Sequence, residues 1–106
     1  MLFIRYPSLM LTFDVGHAHI SSTAEDQTVA VEFIRRWGAR IGHVHVSDNH
    51  GKRDEHLPLG KGTVDWNGVM AALMDTGYDQ TITLEVFTEQ QQDLAKGRQR
   101  LQQQLV

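Results

Sequence analysis

Residues 41–47 read Ile41-Gly42-His43-Val44-His45-Val46-Ser47, and their alternation decides the architecture. Side chains of a strand point in turn to opposite faces of its sheet. Val44 and Val46 therefore share one face, and His43, His45 and Ser47 share the other. An aliphatic face suits packing beneath helices. A polar face that ends in an imidazole suits chemistry.

Two more segments repeat the pattern. Residues 9–13 (LMLTF) set Leu9, Leu11 and Phe13 against Met10 and Thr12, and Asp14 follows on the polar side. Residues 81–87 (TITLEVF) set Ile82, Leu84 and Val86 against Thr81, Thr83 and Glu85. Helical patterns lie between the strands. Ser22-Thr23-Ala24-Glu25 resembles a capping box, opening a helix through about Arg40. Its Ala30, Phe33, Ile34 and Trp37 fall at the i, i+3, i+4, i+7 spacing of one buried stripe. Asp65 caps a second helix carrying Trp66, Val69, Met70 and Leu73, and Gly77 supplies the left-handed residue that ends it. A glutamine-rich helix bearing Leu94, Leu101 and Leu105 closes the chain, weakened by Gly97. Strands alternating with helices predict parallel βαβ units, a single α/β domain over residues 1–106. Asp14, His45 and Glu85 then lie at or near the C-terminal ends of their strands, the edge where parallel α/β folds bind ligands.

Composition narrows the function classes. At 106 residues, with 41% hydrophobic and 22% charged, the chain is ordinary for a small globular domain. Ten Lys+Arg against 13 Asp+Glu leave a formal charge of −3, so nucleic acid is not an expected partner. The absence of cysteine excludes disulfides, thiolate zinc sites and cysteine nucleophiles. No apolar run nears the ~20 residues of a membrane span. The opening Met1-Leu2-Phe3-Ile4-Arg5-Tyr6-Pro7 is too short and mixed for a signal peptide, so a cytoplasmic location is expected.

All six histidines fall between His17 and His56. They read either as surface polarity or as a metal site. Asp14, His45 and Glu85 together offer hard oxygen and nitrogen donors suited to Mn²⁺, Mg²⁺, Fe²⁺ or Zn²⁺. Taken singly, each is as well explained as a satisfied polar residue at a strand end. His17 follows Asp14 by three, and Gly16 allows a sharp turn that faces both into one pocket. His43, one pleat deeper than His45, fits a hydrogen-bonding partner or interior filler better than a ligand. His19 and His50 read as ordinary loop residues. On the long loop 48–63, Asp54 and His56 alternate and can reach a common point above the strand ends; the plainer alternative is a solvated charged loop. Gly60-Lys61-Gly62 lacks the lysine-threonine context of a phosphate loop.

These residues carry a family resemblance. The segments LTFDVGH (11–17), HVHVSDN (43–49), DEHLPLGKGTVDW (54–66) and TLEVF (83–87) resemble, in order and spacing, the C-terminal portion of the xylose isomerase-like TIM barrels. That superfamily holds sugar phosphate isomerases and epimerases, and the endonuclease IV type of apurinic endonuclease (AP endonuclease family 2). The resemblance spans residues 9 to about 90 and implies a partial TIM barrel, with three parallel βα units in the place of strands six to eight. It implies that Asp14, His45 and Glu85 are three of the four ligands of a central divalent metal (Mn, Mg or Zn). Glu85 would also be one of the catalytic glutamate pair of the epimerases. His17, Arg53 and His56 would contact the substrate, a small sugar or sugar phosphate. In the endonucleases His17, Asp54 and His56 would instead hold a separate zinc.

The departures are equally informative. A full barrel needs about 250 residues. The family's fourth metal ligand, a glutamate from an earlier strand, has no counterpart here. Three strands leave both sheet edges open, so completion by a second copy, most simply a dimer, or by an N-terminal barrel portion is expected. Three functions stand: metal-assisted proton transfer next to a carbonyl, zinc-dependent cleavage at abasic DNA, and a truncated, non-catalytic metal-binding or assembly module.

Overall fold

The computed structural model describes residues 8–22 and 28–104. Three strands, β1 (Leu11–Asp14), β2 (Ile41–Val46) and β3 (Thr81–Leu84), form one parallel sheet in the order β1-β2-β3. The helices are α1 (Val15–Ile20), α2 (Val29–Trp37), α3 (Trp66–Asp75) and α4 (Gln91–Gln104). Parallel neighbours cannot be joined by a tight turn, and the chain returns through helices each time. The expected α/β class, three parallel βα units with an open sheet, is what the chain adopts.

The aliphatic face is the core. Val44 and Val46 are fully buried, joined by Phe13, Ile34, Ile41, Trp66, Val69, Met70, Ala72 and Leu73. Phe13 stacks on Phe33 of α2 with ring centroids 4.9 Å apart, seating that helix on the sheet. Asp65 caps α3 by accepting from the Gly68 amide at 3.1 Å. At the far end Gly77 has φ 72°, and Tyr78 N–H donates to the Leu73 carbonyl while Gly77 N–H donates to Met74. Those two bonds make a Schellman closure, as the glycine implies.

Several boundaries differ from expectation. The first strand runs Leu11–Asp14 rather than over 9–13, with an irregular register between Leu11 and Thr12, and Leu9 and Met10 are exposed. The third strand stops at Leu84 because β2, its partner, stops at Val46; Glu85 N–H still donates to the Val46 carbonyl at 2.9 Å. Residues 85–87 then leave the sheet, and Phe87 N–H donates instead to the His56 carbonyl on the loop. The stretch after Asp14 is helix, not a sharp turn. Gly16 serves there by close approach: a Cβ on it would lie 2.8 Å from Ser47 Oγ. The capping box over 22–25 lies outside the described residues except for Ser22, whose amide and hydroxyl both donate to His19 O and close α1. Leu105 and residues 1–7 also lie outside them. The first long helix ends at Trp37, with one 3₁₀ turn over Gly38–Arg40.

Candidate metal centre at the strand ends

The register builds the site. Asp14 pairs with His45, and His45 pairs with Thr83, two residues before Glu85 on the same side of its strand. Period-two alternation therefore turns Asp14, His45 and Glu85 to the sheet face opposite the core, at its C-terminal edge. One ligand atom from each lies within 4.8 Å of the other two. His45 Nδ1 lies 2.8 Å from Glu85 Oε1. The side chains are 20%, 27% and 34% exposed, so solvent, an ion or a small molecule reaches all three.

That donor set fits a divalent cation. Ligands about 2.0–2.6 Å from one ion lie within about 4–5 Å of each other, as these do. Two carboxylates with one neutral imidazole suit Mn²⁺, Mg²⁺ and Zn²⁺, and the missing thiolates disfavour softer ions. Asp14 also has a structural role, since its Oδ1 accepts the His17 amide at 2.9 Å and caps α1.

A second group stands beside the first. Asp54 Oδ2 accepts from His17 Nε2 at 2.9 Å and from His56 Nε2 at 3.1 Å. His17 Nδ1 is 3.6 Å from Asp14 Oδ2, which links the two groups. His56 donates through Nδ1 to the Glu85 carbonyl at 2.9 Å, and its ring stacks on Phe87 at 4.3 Å. Its backbone is left-handed, φ 52°, an uncommon conformation for a residue with a Cβ. The hydrogen bond to Asp54 raises the His17 pKa above 6.5, and the Asp14 charge adds to it. His56 is raised too, first by its bond to the Glu85 carbonyl, against an opposing effect of burial. Burial pushes Asp54 upward, yet the two histidines outweigh it and its pKa falls below 3.8.

Not every candidate is drawn in. Arg53 is exposed, and its side chain makes no hydrogen bond or ion pair with either group. His43 sits one pleat below His45, meets its ring edge-on at 4.7 Å, and bonds Thr81 and Thr83 Oγ1. His19, expected as a loop residue, is a buried helical residue whose Nε2 meets Thr63 Oγ1 at 2.8 Å. His50 is on the loop, as expected, and pairs with Glu55 at 3.0 Å, lowering the Glu55 pKa. A groove of about 690 Å³ between β3 and α4, lined by Ile82, Leu84, Leu94 and Leu101, holds none of the strand-end ligands. The convergent carboxylates and imidazoles stand at the sheet edge instead.

Sequence reasoning places Asp48 and Asn49 within a motif but gives them no part. Both are fully buried where the loop leaves β2. The available signal is an acid and an amide immediately after a strand, followed by a glycine pair and a tryptophan.

Comparison with known proteins places this geometry among relatives. The family described as xylose isomerase-like TIM barrel matches residues 3–104. An uncharacterised protein of Methanocaldococcus jannaschii is 41% identical over 78 residues, 74% of this chain and 26% of that protein. A D-psicose 3-epimerase of Enterocloster bolteae is 28% identical over 83 residues, 73% of this chain and 26% of the enzyme. The crystal structure of a D-tagatose 3-epimerase-like protein superposes with a TM-score of 0.72 at 37% identity, covering 92% of this chain and 34% of the other. The chain thus spans about a quarter of the length of the curated relatives it matches.

Proposed function

The chain belongs to the xylose isomerase-like TIM barrel family, and from that premise we propose that its strand-end site serves divalent-metal-assisted proton transfer at a carbon next to a sugar or sugar phosphate carbonyl. The observation that carries this reading is the convergence of Asp14, His45 and Glu85 within 4.8 Å from three separate strands. The names of the two epimerase relatives supply the substrate class.

Each residue would act as its chemistry allows. Asp14, His45 and Glu85 would hold the cation. A divalent ion there supplies Lewis acidity, polarising carbonyl and hydroxyl oxygens and favouring the charge that develops when the adjacent carbon loses its proton. Of the two Glu85 carboxylate oxygens, one would hold the cation and the other would take or return that proton. His17, Asp54 and His56 would meet the substrate's polar groups from the opposite wall, with Arg53 on the same loop available to an anionic group.

The test is epimerisation of D-psicose or a related keto-sugar with added Mn²⁺, comparing the chain with Glu85→Gln. The variant should lose at least ~10²-fold in rate, the usual weight of a positioned general base. Equal turnover in both removes Glu85 from the chemistry.

A second reading rests on a separate observation. Asp54 draws His17 and His56 onto one oxygen, a donor set that also suits zinc. This supports phosphodiester cleavage at an abasic site, and the charge of −3 argues against it. Chelator-sensitive nicking of an abasic duplex selects that reading, and metal binding without either turnover selects a non-catalytic module.

A further inference from the structure

Loop 48–65 carries Asp54 and His56 to the site, and a knot at its root decides where they arrive. Asp48 is 0% exposed. Its Oδ1 accepts the amides of Asn49 at 2.8 Å and Val64 at 3.1 Å. Its Oδ2 accepts the Gly60 amide at 2.8 Å and Trp66 Nε1–H at 2.9 Å. The Asp48 backbone exchanges two hydrogen bonds with Leu57, one residue beyond His56. Asn49 completes the knot. Its Nδ2 donates to the Gly16 carbonyl at 3.0 Å, its Oδ1 accepts from Gly51, and its carbonyl accepts from Thr63. Gly62 must lack a side chain, since a Cβ there would overlap the Asn49 carbonyl and Asp48 Oδ1.

Each of these bonds joins a part that the site needs in register: the end of β2, the helix of His17, the middle of the loop and the start of α3. We infer that Asp48 is a positioning residue, whose carboxylate gathers four N–H donors from around the loop and so fixes Asp54 and His56 against His17 and Glu85. It touches no reacting atom. The inference rests on the reading of the strand ends as a functional site only for its consequence; the gathering of the loop stands on the bonds themselves. Donors from Asn49, Gly60 and Val64 of the loop and from Trp66 at the start of α3 exceed what closing the loop requires, because the Leu57 bridge already does that.

The experiment uses the full chain with Asp48→Asn, which keeps the shape but aims an amide NH₂ at N–H donors. Val69→Ala in α3 is the control for plain loss of stability, since Val69 is a core residue that takes no part in the knot's hydrogen bonds. Amide hydrogen exchange without metal is the first readout. In Asp48→Asn, the Asn49, Gly60 and Val64 amides, which donate to the carboxylate, should exchange roughly 10- to 100-fold faster, as expected when buried donors lose their acceptor, while the amides of β2 change little. Val69→Ala should instead raise exchange in β2 and the loop together. Zn²⁺ titration is the second readout: Asp48→Asn should weaken binding through loss of the loop donors, and Val69→Ala should leave it unchanged. Unchanged loop protection in Asp48→Asn, or a uniform rise matching Val69→Ala, overturns the inference. If exchange behaves as expected and the unsubstituted chain binds no zinc, the positioning role stands and the functional reading of the site fails.

Discussion

Asp14 belongs to two systems at once, as the N-cap of α1 and as one of three convergent ligand donors. Substitution separates them. Asn caps a helix as well as Asp does, whereas Ala leaves the His17 amide without its acceptor. Asp14→Ala should therefore lose about 1 kcal/mol of stability and Asp14→Asn close to none, measured by thermal melts in chelator. Both should weaken cation binding alike. Equal melting of the two variants removes the cap from the account. The Asp54 cluster gives a pH signature with a definite sign. His17 and His56 are raised above 6.5, so their contribution is complete below 6.5 and is lost as pH rises through the folded values. Asp54 is depressed below 3.8, so its contribution is complete above 3.8 and is lost as pH falls through the folded value. The cluster thus stabilises most between 3.8 and 6.5. Asp54→Asn should cost about 0.5 kcal/mol inside that window after solvent screening, and progressively less as pH rises through the folded histidine values. A difference that is flat with pH contradicts the pairing.

Among the elements, legibility followed the length of the pattern. The alternation of residues 41–47 was readable because His43 and His45 interrupt a valine series at strict period two, and β2 is buried as that period requires. The α3 helix was readable from Asp65 at one end and Gly77 at the other, and both make the bonds their residue types imply. The six residues of α1 were not readable. Such a helix is too short for a stripe, and Gly16 looks like a turn until its approach to Ser47 is known. The partners of His19 and the buried state of Asp48 and Asn49 are long-range facts, set by where loop 48–65 folds back rather than by local spacing. For the same reason Asp54 and His56 left two alternatives open in sequence. Gly77 offers a clean test of one legible feature. Nothing crowds a Cβ there, so Gly77→Ala carries only the penalty of a left-handed backbone, about 1 kcal/mol. A neutral melt would mean that the closure of α3 owes nothing to its glycine.

At the scale of the molecule, the three described strands leave open edges. Among the described residues β1 and β3 each pair on one side only, and the polar sheet face has no layer upon it. Leu9 and Met10 beside one edge and Leu94 beside the other remain exposed. No described helix is long and apolar enough to cross a membrane. Unpaired edges invite strand pairing. The chain is accordingly expected to self-associate at micromolar concentration, with a dimer as the simplest closed form. A monomeric mass by light scattering contradicts this. Strand register sets Asp14 beside His45, and the bonds that hold residue 85 just beyond β3 bring Glu85 to the same point, the proposed cation site. Paramagnetic broadening of amide resonances by substoichiometric Mn²⁺ tests it most directly. Broadening should centre on Asp14, His45 and Glu85 and vanish in His45→Ala; broadening spread over surface carboxylates such as Asp75 and Asp79, and indifferent to that substitution, would rule out a strand-end site.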